Sequence, residues 1–412
     1  MARTRDGAQK PCILLVGGGP FQLEILSAAR RYGQVVVVDG SPLAPGLALA
    51  DHPRVVDIAD AAAVVRIARE LDVRGVVTAA SDVAVPAVSA VVRELGLPGL
   101  VPEVALRCRD KLACFRALMS QGHRVPETRG ISSAFEANAA VAEVGGYPAI
   151  VKPRSGGGGR GVTLVRAPTE LDAAIACARR AYGPGVHGVL VQEFIGGRSV
   201  GVEAFFSDGA LAEAFVLDDQ FEASYISPAG HSLPTTLDAL SIQRVVEAVS
   251  AFGRALGLSD GPTNFDLRQV EERTVMLEVN PRLGGNSITD LVRAAHGVDL
   301  AEATVCAALG LDPRPVLTRN SLEPTAARLI LKHAVGIAHL HEPAAAWRAH
   351  PDLLALDVLV SDGQPAHVRV DEWTILGRTM VRGRDSAGAA RLAEHIASDV
   401  AAHITLTANQ PA

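Results

Sequence analysis

The sequence predicts a chain of mixed α/β and α+β class, and three observations carry that reading. A strand–glycine turn–helix–strand pattern opens the chain, two hairpins follow later, and the length of 412 residues suits two or three domains sharing one site. Hydrophobic residues make up 48% and aromatics only 4%, so the cores are expected to be built from Ala, Val, Leu and Ile. A net charge of −6 lacks the basic footprint of a nucleic-acid or membrane-surface binder, and no apolar run is long enough to span a bilayer. Neither nucleic acid nor membrane is therefore an expected partner.

The elements can be justified in order. In "CILLVGGGPFQLEILSAARRYGQVVVVDG" (12–40), a continuous apolar run over 12–16 predicts a buried parallel strand. Helical spacing follows over 21–31, then a second strand over 34–39. "VRGVVTAASD" (73–82) supplies another strand and turn, which gives a doubly wound unit of roughly a hundred residues. Gly17-x-Gly19 begins a dinucleotide fingerprint and Asp39 lies about twenty residues on, but Gln22 stands where the third glycine belongs. The expectation is a tight turn in a nucleotide-type fold that holds no dinucleotide.

A helix from 109 ends at Gly122, and a helix near 133–144 leads to a strand over 149–152. A strand over 162–165, a helix over 169–180 and the strand of "GVLVQEFIGG" (188–197) come next. A hairpin over 200–217 turns at Ser207-Asp208-Gly209, a long helix covers 240–256, and a second hairpin covers 264–280. Beyond about residue 320, strand-like and helix-like segments alternate. Five cysteines without a CxxC pair read as reduced thiols of a cytoplasmic protein, and the N-terminal stretch does not read as a signal peptide.

Two stretches carry chemistry. In "VKPRSGGGGRG" (151–161), glycines free the backbone to converge N–H groups on an anion, but Lys152 precedes them. A P-loop places its lysine after the glycines, so this loop holds phosphate in another way. In "TNFDLRQVEERTVMLEVNPRLGGN" (263–286), Glu278 and Asn280 are two apart on a strand and share a face. A turn around 271–273 sets Asp266 opposite Glu278. Two carboxylates and a carboxamide make a hard oxygen site of the kind Mg²⁺ takes beside phosphate. The plain alternative is a solvated acidic face. Strict alternation of Phe265, Leu267, Val275, Leu277 and Val279 argues against it by making the two faces chemically distinct.

The ordered set "RDKLACF", "YPAIVKPRSGGGGRGV", "VLVQEFIGG" and "MLEVNPRLGGN" resembles the ATP-grasp superfamily, and within it the carboxylate–amine ligases. The resemblance implies a pre-ATP-grasp α/β domain (1–107), a small ATP-grasp subdomain with the glycine loop (108–195), a large subdomain with the metal hairpin (196–320) and a C-terminal α+β cap (321–412). It implies ATP and two Mg²⁺ ions, with Mn²⁺ as a substitute. Lys111 and Lys152 would be the nucleotide lysines, Lys152 also catalytic. Ser155, Gly156, Gly157 and Gly158 would form the lid, and Gln192, Glu193, Phe194 and Ile195 the adenine hinge. Asp266, Glu278 and Asn280 would hold the metal, and Arg282 would stabilise the transferring phosphoryl group.

The pattern departs at Ser199, where many relatives carry a second glutamate for ribose; that role could pass to Glu203. "GHSLPT" (230–235) and the block from 261 look most like L-amino acid ligases, with His231, Arg282, Gly284 and Gly285 toward the substrate. His231 also fits an ordinary loop histidine. The implied activity joins a small-molecule carboxylate to an amine through an acyl phosphate. A nucleotide-precursor substrate, or ATP binding without turnover, are the alternatives. By analogy with the family the chain would form a homodimer.

Overall fold

A computed structural model describes residues 10–181, 187–223, 227–341, 344–366, 369–370 and 373–408. The N-terminal sheet is parallel, in the order β3 (His52–Val55), β2 (Gln34–Asp39), β1 (Cys12–Val16), β4 (Val73–Val77). Ile13 and Leu15 of β1 enter one core while Leu14 and Val16 enter another. Both faces of the strand are covered, which is why its sequence is apolar throughout rather than alternating. Asp39 accepts hydrogen bonds from the amides of Gly18 (2.7 Å) and Ser41 (2.8 Å), and Gln22 Nε2 donates to the Ala79 carbonyl (2.6 Å). The acid thus fastens its own loop, and the Gln22 side chain packs against Gly17 and Gly19.

The small lobe is an antiparallel sheet built from β5 (Thr128–Ile131), β6 (Ala149–Pro153), β7 (Thr163–Val165) and β8 (Val189–Glu193), in the order β5-β8-β6-β7. The helices Ala137–Glu143 and Leu171–Arg180 close its core over Val151 and Val191. The helices Pro102–Arg109 and Lys111–Ser120 pack elsewhere: Cys108, Phe115 and Leu118 join Val202, Val249 and Phe265 in the core of the large sheet. These two helices, which the sequence reading grouped with the small subdomain, thus pack on the large sheet.

The large sheet has nine strands. β9 (Arg198–Ser207) and β10 (Ala210–Gln220) are joined by Asp208-Gly209, whose φ angles of 54° and 75° match a two-residue hairpin with both central residues left-handed. β11 (Gly230–Leu233) follows, then β12 (Gly261–Val270), β13 (Arg273–Asn280) and β14 (Thr325–Lys332). The strands Trp373–Arg382 and Leu353–Val358 extend the same sheet beyond β14. The C-terminal segment has its own small core around Leu376 and Ile396, but its sheet is continuous with the large lobe. Hydrogen bonding cannot show this in a sequence, because nothing local marks β11 and β14 as neighbours.

The N-terminal domain is fixed to the large lobe in two ways. Ile25 and Leu26 share a core with Leu291, Val292 and Leu300, and the Ala80 amide donates to the Leu283 carbonyl at 3.0 Å. The carboxyl end of β4 thereby meets the loop that follows β13.

Candidate active site

A cavity of about 570 Å³ lies between the small lobe, the large sheet and that carboxyl edge. Its chemistry begins with the register of β12 and β13, which pairs Asp266 with Glu278 and Asn264 with Asn280. The turn at Glu271-Glu272 pairs Val270 with Arg273 and Leu267 with Met276, and a bulge at Leu277 then shifts the register by one residue and brings Asp266 opposite Glu278. Asp266, Glu278 and Asn280 all line the cavity.

Burial raises the Asp266 carboxyl to about 8, with the neighbouring charges of Glu278 and then Asp219 adding to the shift. A cation between these groups would relieve that repulsion, and the oxygen donors suit a hard divalent ion. Among the described residues no three carboxylate, imidazole or thiol groups gather. The carboxamide of Asn280 is the further oxygen donor that lines the cavity beside Asp266 and Glu278.

Lys152 projects from β6, 95% buried, with its ammonium 5.5 Å from the centroid of Phe115. Burial, followed by the like charge of Lys111, lowers it to about 7. A phosphate in the cavity would supply the missing counter-charge. Lys111 stands behind the wall: its Nζ donates to the Gly156 carbonyl (2.8 Å) and lies 3.4 Å from Glu278 Oε1. It braces the lid against the hairpin, and Ser155 and Gly156 likewise lie behind the cavity lining. Gly157 and Gly158 line the cavity itself.

At the hinge, Gln192, Glu193, Phe194 and Ile195 line the cavity in series. Glu193 is held by Arg124 Nη2 (2.5 and 2.7 Å) and by the Glu127 amide (2.9 Å), and Gln192 Nε2 donates to Thr128 Oγ1 (2.9 Å). These side chains are taken up by the lobe.

Arg282 is 8% exposed and reaches the Asp82 carboxylate through Nε (2.9 Å) and Nη2 (2.7 Å). Asp82 also lies against the lid, since a Cβ at Gly157 would come within 1.7 Å of Asp82 Oδ2. One carboxylate thus contacts both the arginine and the glycine loop. The sequence reading missed Asp82. Its position just past β4 was the available signal, because ligands in doubly wound sheets lie at the carboxyl ends of strands.

His231 lies on β11 with Nδ1 3.0 Å from Asp219 Oδ1, and Ser199 Oγ donates to Asp219 Oδ2 at 2.8 Å. All three line the cavity. Gly201 makes room for the pair, since a Cβ there would sit 3.0 Å from Asp219 Oδ1. Asp219 was also missed; the hairpin register that sets Val200 opposite Asp218 brings it beside Ser199.

Glu203, the expected stand-in for a ribose acid, does not reach the cavity. It is fully buried and accepts from the Gly284 amide (3.0 and 3.2 Å) and Asn264 Nδ2 (3.1 Å). Burial raises it to about 7 against the lowering effect of those donors and of Arg282. Its work is to hold the loop carrying Arg282. Gly284 lies with it behind the lining, while Gly285 faces the cavity.

A profile of the ATP-grasp domain matches residues 145–290. D-alanine–D-alanine ligase of Gloeobacter violaceus is 30% identical over 224 residues, covering 50% of this chain and 71% of that protein. The chain belongs to the ATP-grasp family. Human carnosine synthase 1 is 29% identical over 332 residues, covering 73% of this chain and 40% of that one. The chain spans 55% or less of the length of the first curated relatives it matches. The crystal structure of L-amino acid ligase from Bacillus licheniformis superposes with a TM-score of 0.79 at 16% identity, covering 98% of this chain and all of that one. That likeness shows an ATP-grasp fold along nearly the whole chain. No helix among the described residues is long and apolar enough to cross a membrane, and the five cysteines are free.

Proposed function

We propose that this ATP-grasp protein is an ATP-dependent carboxylate–amine ligase that activates an amino-acid carboxylate as an acyl phosphate. The observation that carries the reading is the convergence, in one cavity, of Lys152, the glycine loop, the Asp266–Glu278–Asn280 set and Arg282. In this reading Asp266, Glu278 and Asn280 hold Mg²⁺, two ions as is usual for the fold, with Mn²⁺ as a substitute. The metal supplies charge neutralisation at the phosphates. Gln192 to Ile195 hold adenine, and Lys152 and the loop amides hold the phosphates.

A substrate carboxylate oxygen attacks the γ-phosphorus and the bridging bond to ADP breaks. Arg282, fixed by Asp82, faces the charge that develops on the transferring group. The amine nitrogen then attacks the acyl carbon, phosphate leaves, and the amine gives up a proton. His231, with Nδ1 engaged by Asp219, leaves Nε2 to accept that proton. Closing the loop on Asp82 excludes water from the acyl phosphate.

The names of two relatives, a carnosine synthase and a D-alanine–D-alanine ligase, favour amino acids as substrates over nucleotide precursors. The test is ADP and phosphate release with Mg-ATP across amino acids offered singly and in pairs, with product masses recorded. A pair-dependent release and a mass equal to the sum less water support the reading. AMP and pyrophosphate would overturn the acyl-phosphate route.

A further inference from the structure

The cavity lining also includes apolar side chains from outside the two ATP-grasp lobes and their hairpin. Phe21 follows β1 and Ile58 follows β3, and both are large apolar side chains left partly exposed at the carboxyl edge of the N-terminal sheet. Ile288, which opens the helix Ile288–His296, and Ile375, from the strand beyond β14, line the same cavity and are nearly buried. Three separate parts of the chain thus each place an aliphatic or aromatic side chain on the cavity wall.

Two polar groups that line the cavity with these side chains are already engaged. Asp82 is spent on Arg282, and Asn286 Nδ2 donates to the Pro228 carbonyl at 3.1 Å. A charged substrate side chain brought here would lose water and find no free partner among these groups, whereas an apolar one would be transferred from water to a matching surface.

Resting on the ligase reading above, we infer that Phe21, Ile58, Ile288 and Ile375 form a side-chain subsite, and that the substrate lying there is an amino acid with an aliphatic or aromatic side chain. Its reacting group lies toward Arg282 and its side chain points into the apolar end. Selectivity in such a pocket comes from size and polarity. An apolar pocket separates neighbouring side chains by roughly ten- to two-hundredfold.

The experiment compares kcat/KM for amide formation with leucine, phenylalanine and methionine against aspartate, lysine and glycine, in wild type and in Ile58→Asp and Phe21→Ala. Wild type is expected to favour the apolar set by at least roughly tenfold. Ile58→Asp should lose most of that preference and gain toward lysine, with KM for ATP unchanged. Phe21→Ala, a milder change at a partly exposed position, should weaken phenylalanine more than leucine. Amide formation that treats aspartate or lysine as well as leucine, or variants with unaltered side-chain preference, would overturn the subsite while leaving the ligase reading standing. ADP release with no amide from any pair would overturn the ligase reading and the subsite with it.

Discussion

Arg282 and Asp82 stand 200 residues apart in sequence and are joined in space by two nitrogens of the guanidinium on one carboxylate oxygen, at 2.7 and 2.9 Å. The arginine belongs to the loop after the β12–β13 hairpin and the acid to the N-terminal domain. Arg282 is thus held in place by a domain that supplies none of Asp266, Glu278 and Asn280. Replacing Asp82 by Ala should leave the fold intact and lower kcat for ADP release by on the order of a hundredfold, the scale expected when a reacting group is displaced by about an ångström. KM for ATP should change far less. A variant turning over at the wild-type rate would remove Asp82 from the mechanism.

The same carboxylate limits the lid. A methyl group at Gly157 would overlap Asp82 Oδ2, and a short, doubly engaged aspartate has little room to yield. Gly157→Ala should hold the loop off the site. The expected result is at least a tenfold loss of coupled turnover, with a larger share of ATP hydrolysed to no product because water reaches the acyl phosphate. Unchanged coupling, read as amide formed per ADP released, would show that the loop closes by another path.

Mg²⁺ should act on stability in a pH-dependent way through Asp266. Its carboxyl is raised to about 8, so in the metal-free protein ionising it costs stability as pH climbs from its ordinary 3.8 toward 8. Bound Mg²⁺ needs the ionised form and reverses the cost. The rise in Tm on adding Mg²⁺ should therefore be larger at pH 8.5 than at 6.5, and chelation should erase it. Glu278→Gln should lose both the rise and ADP production while remaining folded. Wild-type ADP production in that variant would sink the metal assignment.

The hairpin was legible because its information is local. A turn near residue 272 and a period of two set Asp266 near Glu278 on one face. The pairing in the structure combines a turn at Glu271-Glu272 with a bulge at Leu277 that the sequence pattern does not mark. The glycine loop and its preceding lysine were legible for the same reason. Asp82 and Asp219 were not, since each gains its role only when a distant strand end or a hairpin partner arrives. Glu203 shows the reverse error. Its proximity in sequence to Ser199 made it a candidate for ribose, and it does share the Ser199 face of β9, but four residues further along the strand the loop at Gly284 covers and buries it. The continuity of the large sheet through β14 was hidden too, because the β11–β14 pairing joins segments about a hundred residues apart.

Glu203 itself makes a clean stability test. Its folded value of about 7 lies above its ordinary 4.5, so the unfolded chain releases that proton first as pH rises. Wild type should lose stability relative to Glu203→Gln between about pH 4.5 and 7, and the difference should level off above 7. The full effect is on the order of 3 kcal/mol, several degrees in Tm. Parallel Tm curves for the two proteins across that window would mean that Glu203 ionises as freely in the fold as outside it.

His231 and Asp219 separate the two halves of the reaction. If His231 takes the amine's proton, its loss spares phosphoryl transfer and slows only the attack that follows. His231→Gln should still release ADP in the presence of the carboxylate substrate, while amide yield per ADP falls by roughly a hundredfold, within the range assigned to general-base catalysis. Asp219→Asn should show a milder version, because the ring keeps a hydrogen-bonding neighbour but loses its carboxylate. Measuring amide and ADP in the same reaction decides it. Equal losses of both would place His231 in substrate binding instead of proton transfer, and normal yields would leave it with no part in the chemistry.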